Sequence, residues 1–192
     1  MRTDHQTLRL TIAANDSVVR ASDGWNSFVE EHWVGSLQPV VPDTSFWSIV
    51  AGSRPTAMYD LLLETARSGH SIGIDVWAAA REATTKVELS VAPCGALGHV
   101  ELTLRSLGRR RHQPLAIFEK MAERTADEVD VCSFCLSVRS FGWQEVERAL
   151  RQLRFPFVGP QPQIVPRVCD QCERTISTSC APFRLGAGNG LA

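Results

Sequence analysis

The sequence predicts an α+β chain in two parts: a five-stranded antiparallel sheet with helices on one face, then a small cysteine module carrying one amphipathic helix. Three observations predict it. Apolar and polar residues alternate in five short stretches, the period of a half-buried strand. Between the second and third stretches, apolar residues recur at helical spacing. Two Cys-x-x-Cys pairs, Cys132/Cys135 and Cys169/Cys172, bracket residues 136–168 in the last third of the 192-residue chain.

The elements follow in order. Leu8, Leu10 and Ile12 alternate with Arg9 and Thr11. The Asn15-Asp16 turn then leads into a second strand, SVVRAS. Asp23 is placed to cap a helix whose stripe is Trp25, Phe28, Val29 and Trp33. TSFWSIV fits one or two helical turns with Phe46, Trp47 and Val50 inward. Pro55 opens a longer helix with Met58, Leu61, Leu62 and Ala66 on one face, and Gly69 stops it. Three alternating stretches follow: Ile72/Ile74/Val76, Val87/Leu89/Val91 and Val100/Leu102/Leu104. Their connections, AAREA and CGALG, are short enough for an antiparallel meander.

Residues 107–129 read as a linker with a helix, its one side formed by Leu115, Phe118, Met121 and Ala122. Arg109, Arg110, Arg111 and His112 make a basic spot at its start. Trp143, Val146, Ala149, Leu150 and Leu153 recur at helical spacing, with Glu147 four residues before Arg151. That helix is expected to pack over the cysteines. FPFVGPQPQIVP, rich in Pro, is expected to be extended or looped. The tail from 179 to 192 is expected to be mobile.

Cys132, Cys135, Cys169 and Cys172 together saturate a tetrahedral metal, and four thiolates point to one structural zinc per chain with no open position for substrate. The module is therefore zinc-ribbon-like. Disulfides are disfavoured because the opening MRTDHQTLRL is polar and charged, unlike a signal segment, which also predicts a cytoplasmic location. Cys94 and Cys180 stand outside the pairs.

Residues 7–106 resemble a PAS domain in element order, with the aromatic-rich helix of TIAANDSVVRASDGWNSFVEEH and SFWSIV at the place of a short PAS helix. The resemblance implies a sensor of a ligand or partner. Residues 130–175 resemble a cysteine module at the C-terminus of bacterial PAS-type sensory and regulatory proteins. Cys132, Cys135, Arg139, Gly142, Trp143, Glu145, Val146, Glu147, Cys169 and Cys172 follow that wording in order. Leu136 and Val165-Pro166-Arg167 depart from it, and no His precedes the second pair. The expected organisation is a sensor domain at 7–106, a linker at 107–129, a zinc module at 130–178 with its own core, and a tail.

Net charge is −1, split as −4 over 1–106 and +3 over 107–192, and four zinc-bound thiolates cancel most of the second excess. No apolar run is long enough for a membrane span. Nucleic acid is thus disfavoured as a partner. A protein partner, a small-molecule ligand and a homodimer all remain open. Trp25, Phe28, Trp33, Phe46, Trp47 and Tyr59 either line a cavity or fill the core. No flavin-type cysteine motif and no haem-placed histidine stand out; His70 comes nearest. No catalytic constellation is recognisable, so the expected function is non-enzymatic signalling. The alternatives are a nucleic-acid-binding transcriptional regulator and a thiol or zinc redox sensor. Arg148, Arg151 and Arg154, at i, i+3 and i+6, are the candidate docking face.

Overall fold

A computed structural model describes residues 7–32, 34 and 36–184. The first part has β1 (Thr7–Ile12), β2 (Val18–Ala21), α1 (Trp25–Glu31), a 3-10 turn (Phe46–Ile49), α2 (Ser53–Arg67), β3 (Ile72–Ala80), β4 (Ala83–Pro93) and β5 (Val100–Arg111). The strands form one antiparallel sheet in the order β2-β1-β5-β4-β3. Its alternation matches the sequence: Leu8, Leu10 and Ile12 are buried, as are Val87, Leu89, Val91, Val100, Leu102 and Leu104. That face packs on Trp25 and Val29 of α1, Phe46, and Tyr59, Leu62, Leu63 and Ala66 of α2. The opposite face carries cross-strand ion pairs, Arg105 with Glu88 at 2.7 Å and Lys86 with Asp75 at 2.6 Å. A sheet with one dry and one wet face reads as clean alternation.

Tight turns close this part. A side chain at Gly98 would come within 2.9 Å of the Ala14 Cβ, and its φ of +78° favours glycine as well. The β1–β2 turn is pinned by Asp16, which accepts from Trp47 Nε1 at 2.8 Å and from Arg67 at 2.5 Å.

The second part contradicts two expectations of helix. Residues 107–129 are not a helical linker. β5 runs on to Arg111, Ala116–Phe118 is one 3-10 turn, and β6 spans Arg124–Cys132. Leu115, Ile117 and Phe118 are buried while Met121 is 96% exposed, so the supposed stripe has no single face. Trp143 is not helical either. It lies on β8 (Trp143–Gln144), paired with β7 (Val138–Arg139), and α3 begins only at Val146 and ends at Leu153. β9 (Gln161–Arg167) pairs parallel with β6, giving a four-stranded sheet in the order β8-β7-β6-β9. The segment expected to be extended or looped is thus a loop over 155–160 and a strand from Gln161.

A last helix, α4 (Asp170–Arg184), takes in residues 179–184 of the expected tail; residues 185–192 lie outside the described ones. It packs on α2, tied by Arg54 to Glu173 at 3.0 and 3.2 Å. The module shares part of its core with the first sheet. Cys132, Phe134, Val168, Cys169, Ile176 and Cys180 belong to the same buried cluster as the first sheet and α2. A second cluster joins Ala79 of β3 to Leu115, Ile117, Val129, Val131, Val138 and the Val146/Ala149/Leu150 face of α3.

Candidate metal centre

Two local structures bring the cysteines together. Cys132 ends β6 and Cys135 closes the turn after it, where the Leu136 amide donates to the Cys132 carbonyl at 3.1 Å. Leu136 takes a left-handed φ of 64°, a conformation that a branched side chain adopts only when its surroundings fix it. Here its side chain is buried in the second cluster. Cys169 precedes the first residue of α4 and acts as its cap: its Sγ accepts from the Cys172 amide at 3.4 Å. Cys172 sits in the helix's first turn, where the positive end of the dipole favours thiolates.

The four sulfurs all lie within 4.8 Å of one another, and Cys135 Sγ is 3.6 Å from Cys169 Sγ. A tetrahedron with metal–sulfur bonds of about 2.3 Å has sulfurs about 3.8 Å apart. The cysteines are free, since a disulfide needs about 2.05 Å. The set could therefore hold a metal ion, and its donors are all sulfur. Cys132 and Cys169 are buried, while Cys135 and Cys172 are half-buried.

Hydrogen bonds among the sulfurs divide their protons. Bonding to Cys132 first, and then to Cys169 and Cys172, holds Cys135 well below its ordinary value, while bonding to Cys132 and Cys172 outweighs the opposing effect of Cys135 and draws Cys169 down to about 7. Cys132, bonded first to Cys135, and Cys172, bonded first to Cys132, are pushed up. Four thiolates this close together repel one another without a cation. A divalent ion at the centre offsets that repulsion and lets all four be thiolates.

Outer contacts support the ligands. The Cys169 amide donates to Cys132 Sγ at 3.4 Å, and Ser137 Oγ lies 3.2 Å from Cys135 Sγ, where its hydroxyl can donate to a thiolate. The Ser133 amide donates to the Arg167 carbonyl at 2.8 Å, joining the two cysteine-bearing segments. The turn between Cys132 and Cys135 also caps the edge of the first sheet. The Trp77 amide of β3 donates to the Phe134 carbonyl at 2.8 Å. Gly52, at the start of α2, approaches β9 so closely that a Cβ would meet the Pro166 carbonyl oxygen at 3.0 Å.

Sequence reasoning did not single out Phe134, Ser137 or α4. Phe134 is 1% exposed and packs on Tyr59, with ring centroids 5.6 Å apart. A Phe between two metal-ligand cysteines was the available signal. The helix expected over the metal, α3, instead packs in the second cluster, and α4 takes its place. Of the residues that carried the resemblance, Arg139 lies 3.6 Å from Asp130, Trp143 is half-buried beside the metal-side cluster, and Glu145 precedes α3. Cys180 is buried on α4 and Cys94 is half-buried in the β4–β5 loop; neither joins the four-sulfur group.

Two histidines have packing roles. His32 stacks on Phe28 at 4.4 Å with Nδ1 3.1 Å from the Phe28 carbonyl, and burial lowers its pKa. His70 stacks on Phe183 at 4.2 Å. Trp25, Phe46 and Tyr59 are core residues, and burial pushes the Tyr59 hydroxyl up. Phe28 and Trp47 are half-buried against that core, and Trp33 lies outside the described residues.

No protein-family model and no curated protein sequence matches this chain. Among the described residues, no helix is long and apolar enough to cross a membrane.

Proposed function

We propose that this chain is a non-enzymatic regulatory protein in which one structural zinc locks a cysteine module onto a PAS-like sheet domain. The observation that carries the reading is the closed set of four sulfurs inside the core that the sheet and α2 share. An all-thiolate set selects zinc among the common divalent ions and leaves no ligand position for substrate or water. The PAS-like reading draws support from the element order: two strands, short helices, a longer helix, then three strands. The metal then holds the relative position of sheet and module, the property a partner protein would read.

The test is elemental analysis of reduced, purified protein. The reading expects close to one zinc per chain, in a cytoplasmic setting whose reducing thiol pool keeps cysteines free. Well under half an equivalent of zinc, or a stoichiometric different metal, defeats it. A thiol-responsive version of the same centre is favoured by one observation, the half-buried state of Cys135 and Cys172. Rapid, reversible zinc release by a mild oxidant would promote it. The exposed Arg148, Arg151 and Arg154 give a protein partner a charged face. Arg151 also lies over the Phe157 ring at 6.0 Å. Duplex DNA binding through these arginines would weaken steeply with salt, by about 0.9 in log–log slope per phosphate contact. We expect no tight binding at physiological salt.

A further inference from the structure

A cavity of about 270 Å³ lies between the back of the five-stranded sheet and the cysteine module. Part of its wall is apolar: Trp77 of β3, the fully buried Leu115, and Val146 at the start of α3. Its polar groups carry both signs. Arg110 comes from the end of β5, and Glu145 and Glu147 from the beginning of α3. Among the described residues, none of these three side chains forms an ion pair or a side-chain hydrogen bond. Elsewhere on the same face of the sheet, charged side chains are paired across strands. His112 lines the cavity too. Its Nδ1 donates to the Gln113 carbonyl at 2.7 Å, which leaves Nε2 as a buried acceptor without a partner.

A simple anion here would meet two carboxylates, and a simple cation would meet a guanidinium. A molecule with both charges close together satisfies each group. The cavity is smaller than the roughly 300–1,000 Å³ of drug-sized sites, so the ligand is small. We propose that it binds a free α-amino acid with an apolar side chain. The carboxylate pairs with Arg110, the ammonium with Glu145 and Glu147 and the His112 acceptor, and the side chain lies against Trp77. Charge-assisted hydrogen bonds to planar guanidinium and carboxylate groups supply the selectivity for the zwitterion. The site is separate from the aromatic core of the PAS-like domain and borders the metal centre, since Cys135 and Ser137 also line it.

The test titrates metal-loaded full-length protein with L-leucine and L-phenylalanine and follows the Trp77 indole N–H by NMR, assigned with Trp77→Phe. Saturable millimolar or tighter binding is expected. N-acetyl-L-leucine, which lacks the ammonium, and L-leucinamide, which lacks the carboxylate, should each bind roughly tenfold more weakly or worse. Arg110→Ala and the double variant Glu145→Gln/Glu147→Gln should lose about as much while keeping the parent's metal content. Absence of any saturable shift with either amino acid overturns the proposal. So does equal binding of the masked analogues, or parent-like affinity in both variants. Metal content measured on the same samples keeps this failure distinct from a failure of the zinc reading.

Discussion

The two sheets of this protein are built to different standards. The first has five strands, two of them longer than ten residues, joined largely by hairpins and closed over two helices. The second has two strands of only two residues each, and its longest pairing, β6 with β9, is parallel. Strands that short cannot hold themselves together in water. The first sheet is therefore stabilised by its own burial. The second has a small core, closed by the apolar face of α3 and by Leu115, Ile117 and Phe118, and it is held at its margins by the four cysteines and the end of β3. The comparison teaches that the four-cysteine group sits at a joint. It fastens a weak sheet to a strong one through a core both use.

Breaking the joint should have the largest effect. Cys169→Ser removes a ligand and a helix cap together. Zinc contributes on the order of 10 kcal/mol or more to the folding of small thiolate sites, comparable to a whole domain's stability. We expect the variant to lose zinc and to lower the thermal midpoint of the first sheet as well, measured by far-UV circular dichroism.

Phe134→Ala sharpens the comparison without touching a ligand. Its ring is 1% exposed and contacts Tyr59 of α2. Removing it should cost about 3–5 kcal/mol in denaturant unfolding, with zinc still bound. A cost below about 1 kcal/mol would mean that the module only rests on the sheet.

Two smaller tests act within the first sheet alone. Gly98→Ala places a Cβ 2.9 Å from the Ala14 Cβ at a positive φ, and should cost about 1–3 kcal/mol with no change in zinc content. Asp16 supplies the pH dependence. Burial by itself would raise its carboxyl, but hydrogen bonds from Trp47 and Arg67, and the guanidinium charge, outweigh this and hold it below the ordinary value of 3.8. A carboxyl lowered in the folded state adds stability that is fully present above its unfolded pKa. That stability is lost as pH falls through the lowered folded value. Asp16→Asn should therefore cost about 1 kcal/mol at neutral pH, and the gap from the parent should close as the pH falls through the lowered folded value.

The same contrast explains what could be read from the chain. Strands β1 to β5 and helix α2 were legible because each buries one face, and alternation or helical spacing records that directly. The four cysteines were legible from spacing, which their gathering in space matches. β6 was hidden because only Val129 and Val131 alternate, within the charged run ADEVDV. β9 was hidden by Pro162 and Pro166. It is an edge strand, and there a missing N–H can face away from the ladder. α4 was hidden by its Ser, Thr and Pro182, poor helix formers that docking on α2 and the Arg54–Glu173 pair override. Trp143 had the right spacing for a helix but pairs with Arg139 across a hairpin. The shared core was invisible because sequence spacing says nothing about which faces meet.

Calorimetry of the zinc-loaded chain, repeated with a strong chelator, tests the central claim most directly. The account predicts one cooperative transition with matching calorimetric and van't Hoff enthalpies, shifted as a whole to lower temperature when the metal is removed. Two separate transitions, of which the chelator moves only one, would contradict it.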